Sequence, residues 1–273
     1  SGGGKSAAMC SMAANYIAQG YNVLYVTLEL AEERVAERID ANLLNIPINN
    51  VKEVPKDLYI KRLSKIKEKS FGKLIIKEYP TGVASVHHFN ALLDELQLKK
   101  GFVPDIVFID YLGICASSHY KSGSNANSYT IQKSIAEELR GFAVERNIAL
   151  WSGIQANRSG YGNSDMSETS IAESLGILMT ADFVLGLIRT PELDDQGQVL
   201  AKQIKSRYGD VSYFNRFVLG FDRARMKLFS VDQDGIMNER IPHSEDEDHM
   251  ESIAKKSQDL DSKIKSSDDW DFS

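Results

Sequence analysis

The sequence predicts an α/β fold: a mainly parallel sheet with helices on both faces, and an antiparallel extension towards the C-terminal end. Three observations predict it. Helical and strand patterns alternate from residue 6 to residue 155, the order that gives crossover connections between parallel strands. The later strands follow one another with only turns between them, which suits antiparallel pairing. Several strands are unbroken apolar runs, as strands covered on both faces must be.

The elements follow in order. Residues 6–19 carry a helical pattern that ends near Gly20. Val23–Glu29 is a β-rich apolar run, hence a buried strand. Ala31–Leu44 is helical, with Val35, Ile39 and Leu43 on one face. Lys56–Lys69 is a charged helical stretch, read as a solvated surface element. Lys73–Glu78 reads as a strand, and His87–Leu98 as a helix with Phe89, Leu92, Leu93 and Leu96 facing inwards. Asp105–Leu112 is a strand, apolar around one acid. Residues 116–129 are rich in Ser, Asn, Gly and Tyr and read as a mobile loop. Ile131–Arg146 is an amphipathic helix, Ile148–Gln155 a strand, and 157–169 a second polar loop. Ala181–Ile188, Leu200–Ser206, Phe214–Phe221 and Met226–Val231 complete the strands.

Composition narrows the function classes. The chain has 273 residues, 42% of them hydrophobic, enough for one large domain with a full core. Residues 244–273 hold ten acids and four lysines, so this segment alone accounts for the net charge of −6. The rest is neutral, so any nucleic-acid contact must come from local loops rather than a basic field. Residues 1–243 are read as the domain, and 244–273 as a disordered acidic tail, with few large apolar residues before Trp270 and Phe272. The tail reads as a solubilising end; Asp268–Phe272 as a docking motif is the alternative. Cys10 and Cys115 form no disulfide framework and read as buried small hydrophobes in a reducing compartment. No apolar run of about 18 residues is present, so no membrane span is expected, and no signal peptide is seen. His87-His88 lacks the companions of a metal set and reads as part of a helix.

Ser1-Gly2-Gly3-Gly4-Lys5-Ser6 matches the last six positions of the phosphate-binding loop G-x-x-x-x-G-K-[ST]. Side-chain-free positions let backbone N–H groups crowd around phosphates. Lys5 is expected to reach the β- and γ-phosphates of ATP or another NTP, and the Ser6 hydroxyl to hold Mg²⁺. The chain opens inside this motif and not with Met, so it is read as a fragment. The strand that normally leads into such a loop is expected upstream of residue 1, at a cost in stability to a chain without it.

Three polar residues end apolar strands. Asp110 follows Ile106-Val107-Phe108-Ile109, the pattern that delivers one carboxylate to Mg²⁺. Glu29 ends the run from Val23, where a carboxylate can polarise the attacking water. Gln155 ends the strand from Ile148, where an amide can sense the γ-phosphate. Each has a bland reading: a satisfied strand-end acid, a helix-leading acid, an ordinary polar terminus.

Leu28-Glu29-Leu30, Ile109-Asp110-Tyr111-Leu112, Gln155 and Lys205-Ser206-Arg207-Tyr208-Gly209, in this order, resemble the motifs of DnaB-type replicative helicases. Arg38–Asn42, Tyr79–Gly82, Ile135–Arg140, Ile171–Ser174 and Thr180–Phe183 are closer still to the helicases of T-even phages. The resemblance covers about residues 1–230. It implies a RecA-like P-loop NTPase core in a homo-hexameric ring, driven by NTP and Mg²⁺, moving 5′→3′ on single-stranded DNA in the cytoplasm of a phage-infected host. It implies Glu29 as the catalytic carboxylate, and Lys205 and Arg207 as a pair inserted from a neighbouring subunit. It further implies primase, helicase loader and polymerase as partners. In a ring, the loops at 116–129 and 157–169 would line the channel, with Lys121 and Arg158 on phosphates and His119, Tyr120 and Tyr161 stacking on bases. Incidental surface charge is the plainer reading of both loops. Two further alternatives are a filament-forming RecA-type recombinase and an inactive nucleotide-binding fragment. The Asp-Tyr-Leu and Lys-Ser-Arg-Tyr-Gly strings argue against the first, and the intact Lys5, Ser6, Glu29, Asp110 and Arg207 against the second.

Overall fold

Along the chain run α1 (Lys5–Ala18), β1 (Val23–Thr27), α2 (Glu32–Leu44), a 3₁₀ turn (Ile48–Glu53), α3 (Lys56–Lys67), β2 (Leu74–Glu78), α4 (Val86–Lys100) and β3 (Ile106–Asp110). A short 3₁₀ turn (Leu112–Ile114), α5 (Ser128–Arg146), β4 (Ala149–Ser152), α6 (Leu175–Thr180), β5 (Phe183–Ile188), α7 (Pro191–Asp195), β6 (Gln198–Ser206), β7 (Arg216–Asp222) and β8 (Lys227–Ser230) follow. This computed structural model describes residues 4–67, 71–120, 126–155, 175–211 and 215–231. The expected boundary at 243 and the acidic tail lie outside these residues.

Every residue of β1 and β3 is buried. Their alternating side chains feed two separate cores. Val23, Tyr25, Ile106 and Phe108 pack with Met9, Cys10, Ala13 and Ile17 of α1 and Val35 and Ile39 of α2. Leu24, Val26, Val107 and Ile109 pack on the other face with Phe89, Leu92, Leu93 and Leu96 of α4 and Ile135, Leu139 and Phe142 of α5. Full burial of each such aliphatic or aromatic side chain contributes about 1.5–3 kcal/mol. The continuous apolar runs are thus the signature of a sheet sandwiched between helices. By contrast α3 buries only a narrow edge: Tyr59 and Leu63 pack against a small cluster, while Leu58 and Ile60 stay exposed.

The sheet order is β2-β1-β3-β4, all parallel. Thr27 pairs with Asp110 and Ile109 with Ser152, so the strands end side by side. The order β5-β6-β7-β8 forms a separate antiparallel sheet. One sheet with an extension was expected; two hydrogen-bonded sheets are observed. Among the described residues β4 pairs only with β3, and β5 only with β6. Trp151 and Phe183 meet where the two sheets adjoin, with ring centroids 6.1 Å apart.

The antiparallel sheet is fastened to α1 and α2 by buried polar groups. Ser11 Oγ accepts from Leu228 N–H at 2.9 Å and from the Asn42 side chain at 3.3 Å. The same Asn42 amide donates to Met226 O at 2.7 Å. Burying Ser11 and Asn42 is tolerable because each is satisfied.

Local chemistry shortens two expected strands. Thr27 Oγ1 donates to Leu30 O at 2.8 Å and accepts from Leu30 N–H at 3.1 Å, so the chain turns before Glu29. Ser152 Oγ donates to Ile109 O at 2.8 Å and accepts from Leu112 N–H at 3.0 Å, so β4 ends there and not at Gln155. The expected loop up to 129 stops earlier, because Asn127 caps α5 by accepting from Thr130 N–H at 2.7 Å. His88 lies in α4, its Nδ1 accepting from Ser85 N–H at 3.2 Å.

Candidate nucleotide site

Gly4 stands before α1 with φ of 79°, in the left-handed region that glycine enters at no cost. The first turn of α1, with no side-chain cap hydrogen bond at Gly4, then presents backbone N–H groups and the positive end of the helix. Lys5 extends from this turn across the ends of β3 and β4. A Cβ on Gly153 would lie 3.3 Å from Lys5 Cδ, so the glycine leaves room for the lysine stem. Lys5 Nζ sits 5.3 Å from the centre of the Tyr111 ring. Ser6, in the same turn, is half-buried.

Asp110 ends β3 with no exposed surface. Its Oδ2 accepts from the Tyr25 hydroxyl at 2.9 Å. Its Oδ1 is buried and has no partner among the described residues. A buried carboxylate oxygen without a partner is costly and calls for a cation. The residues present therefore fit Mg²⁺: a carboxylate oxygen from Asp110 and a hydroxyl from Ser6 are hard oxygen ligands.

Glu29 lies two residues beyond β1 and is exposed. Its backbone neighbourhood is fixed: Leu28 N–H donates to Asp110 O at 2.9 Å, and Thr81 Oγ1 donates to Leu28 O at 2.6 Å. Gln155, three residues beyond β4, is also exposed. Parallel register thus brings Lys5, Ser6, Glu29, Asp110 and Gln155 to one end of the parallel sheet, the end where open α/β sheets bind ligands.

Lys205 and Arg207 form a second group. Lys205 Nζ donates to Leu178 O and Met179 O, each at 2.8 Å, closing the end of α6. Burial, then the nearby Arg207 charge, lowers the Lys205 ammonium below its ordinary range. Arg207 donates to Asp182 Oδ1 at 3.0 Å and to Met179 O at 3.1 Å, and Arg140 shares the same Asp182 oxygen at 2.6 Å. Tyr208 beside them is 84% exposed. The cations contact α6 and Asp182, not the group around Lys5. Ser1, Gly2, Gly3, Lys121, Arg158 and Tyr161 lie outside the described residues.

Several participants were not singled out from the sequence. A Cβ on Gly4 would lie 3.7 Å from the Phe221 ring and 4.0 Å from Arg189 Cδ, so both border the cradle. Arg189 is bound at two points by Asp194, at 2.9 and 2.7 Å. Glu138 holds the foot of the loop after β3: it accepts from Ser117 Oγ at 2.6 Å, Ser118 N–H at 2.7 Å and Ser134 Oγ at 3.0 Å. Burial pushes the Glu138 carboxyl up, and these hydrogen bonds together hold it below its ordinary range. The Ser134/Glu138 spacing of one helical turn was the one visible signal.

Burial also pushes two thiols up. Cys10 and Cys115 each move from 9.0 to about 12. Both folded-state values lie above the ordinary one. Their contribution to stability is therefore complete below pH 9 and lost as pH rises towards 12. The thermal midpoint is expected to fall as pH is raised from 9 to about 10.5. The Cys10→Ala, Cys115→Ala double variant, melted alongside, is expected to fall less steeply over the same window. Parallel slopes would show that the thiols do not drive the loss.

The sequence profile of the DnaB-like helicase C-terminal domain matches residues 1–228. A DnaB-like replicative helicase of Enterobacteria phage T4 is 46% identical over 239 residues, 86% of this chain and 50% of the phage protein. The chain thus spans half the length of that relative. Among solved structures, a DnaB-like replicative helicase studied with primase superposes with a TM-score of 0.68 at 19% identity, covering 85% of this chain and 55% of that one. A second solved structure, an ATPase domain, superposes with a TM-score of 0.68 at 19% identity, covering 85% of this chain and 82% of that one. At that identity the superpositions speak for the fold, a RecA-like ATPase core; the family rests on the sequence match, and by it this chain belongs to the DnaB-like helicase C-terminal domains.

Proposed function

We propose that this chain is the motor of a replicative DNA helicase, which hydrolyses ATP or another NTP with Mg²⁺ and translocates 5′→3′ on single-stranded DNA as a homo-hexameric ring. The observation that carries the reading is Asp110, fully buried at a strand end beside α1, with one carboxylate oxygen that has no partner among the described residues. Ser6 and Asp110 are the residues that would hold Mg²⁺, and the ion when bound would neutralise phosphate charge. Ser1–Gly4 and the first turn of α1 orient the phosphates by their N–H groups. Lys5 sets a positive charge against the β- and γ-phosphates. Glu29 accepts the proton of the attacking water at its carboxylate. Gln155 orients against the γ-phosphate and passes its presence to the loop that follows. Lys205 and Arg207 reach the phosphates of a neighbouring subunit.

The DNA partner is single-stranded, met by the loops after β3 and β4. Primase, a helicase loader and the polymerase machinery are the partners proposed at the fork, in the cytoplasm of a phage-infected bacterium. The relative solved with primase supports the first of these. Among the described residues no helix is long and apolar enough to cross a membrane.

The test is the rate of ATP hydrolysis with and without single-stranded DNA. Strong stimulation is expected, and a rate indifferent to DNA would leave an ATPase that is not a helicase motor. Charge reversal at Lys121 and Arg158 together is expected to lower the ratio of stimulated to DNA-free rates several-fold. An unchanged ratio would return both to incidental surface charge. Electron micrographs separate closed rings from recombinase-like filaments.

A further inference from the structure

Asp110 is held by a short chain of donors that begins on the phosphate-loop helix. The Cys10 thiol donates to the Tyr25 hydroxyl at 3.8 Å. That hydroxyl donates to Asp110 Oδ2 at 2.9 Å. Cys10 follows Ser6 by four residues in α1, one helical turn. Tyr25 is fully buried, and its ring stacks on Phe108 at 5.6 Å with 17° between the planes. The ring cannot turn away, so the hydroxyl stays where it is. With the thiol donating to its oxygen, the hydroxyl proton is committed to Asp110. The other carboxylate oxygen, Oδ1, is left buried and without a partner among the described residues.

A strand covered on both faces has no packing need for a hydroxyl. Each of the other β1 positions except Thr27 is aliphatic, and phenylalanine would fill the same volume as Tyr25. A buried hydroxyl costs free energy unless it is bonded, so its presence here is informative.

We propose that Tyr25 is a positioning residue for the divalent cation: by occupying Oδ2 it fixes the plane of the Asp110 carboxylate and leaves Oδ1 as the oxygen offered to the ion. Cys10 ties this alignment to the helix that carries Lys5 and Ser6. The inference rests on the reading of Asp110 as a cation ligand. Groups that orient a metal ligand from behind typically change metal affinity by about 10- to 100-fold when removed.

Mn²⁺ serves as the probe. It is titrated into protein saturated with a non-hydrolysable ATP analogue, and free Mn²⁺ is read by electron paramagnetic resonance. Parent, Tyr25→Phe, Cys10→Ala and Asp110→Asn are compared. Tyr25→Phe is expected to raise the half-saturating Mn²⁺ concentration roughly tenfold, with nucleotide affinity in the absence of metal unchanged. Cys10→Ala is expected to move it the same way by less, and Asp110→Asn by more. A shift in Asp110→Asn with none in Tyr25→Phe overturns the positioning role and leaves the cation reading standing. No shift in Asp110→Asn overturns the cation reading, and the inference with it. Should Tyr25→Phe not fold cooperatively, Cys10→Ala decides, since it leaves Tyr25 and Asp110 in place; an unchanged midpoint there overturns the proposal.

Discussion

Replacing Arg207 by alanine is expected to lower DNA-stimulated hydrolysis by about 10³- to 10⁵-fold, the range over which an arginine finger acts. The arginine follows the end of β6 in an exposed setting, held by Asp182 and Met179 O. Its loss leaves Asp182 paired with Arg140 at 2.6 Å, so no charge is orphaned. An exposed pair of this kind contributes at most about 1 kcal/mol, so the thermal midpoint is expected to stay nearly constant while the rate collapses. The trans placement has its own check. Arg207→Ala and Lys5→Ala proteins, each inactive alone, are mixed and assembled. Random assembly sets an intact Lys5 against an intact Arg207 at about a quarter of the interfaces, so a comparable share of the DNA-free parental rate should return. No recovery would show that Arg207 serves its own subunit.

Glu29→Gln is expected to lower hydrolysis by about 10²- to 10⁴-fold, the contribution of a placed general base. The side chain is exposed and has no hydrogen-bond partner among the described residues, so the amide replaces it without structural cost. Equilibrium binding of nucleotide, measured by dialysis, should be unchanged. A rate within tenfold of the parent would mean that Glu29 only leads into α2, with its acidic first turn of Glu32 and Glu33.

What could be read from the chain beforehand follows from how locally each feature is encoded. Lys5, Ser6 and Asp110 stand in spellings that phosphate and metal chemistry impose on consecutive residues. The buried runs of β1 and β3 are equally local, because two apolar cores demand apolar side chains at nearly every position. Tyr25 was invisible because an aromatic in such a run looks like packing; only its contact with Asp110, 85 residues away, gives it a role. Asp182, Phe221 and Arg189 acquire meaning the same way, from partners distant in sequence. The helices α6 and α7, at six and five residues, are too short to show periodicity. The separation into two sheets escaped notice because pairing is decided by edges, not by the propensity of either strand.

The bonds that fasten β8 to α1 have a mechanical consequence. Ser11, Asn42 and the β8 backbone tie the antiparallel sheet to the helix whose first turn carries Lys5 and Ser6. Across β7 from β8 lies β6, whose end carries Lys205 and Arg207. In the proposed ring, the hand a subunit closes on its own nucleotide and the hand it extends to the next are opposite ends of one stiff beam. In such a ring a tilt of α1 would not be absorbed inside the subunit. It would be delivered, through hydrogen-bonded strands, to the neighbour's phosphates, so that successive sites would be geared to one another.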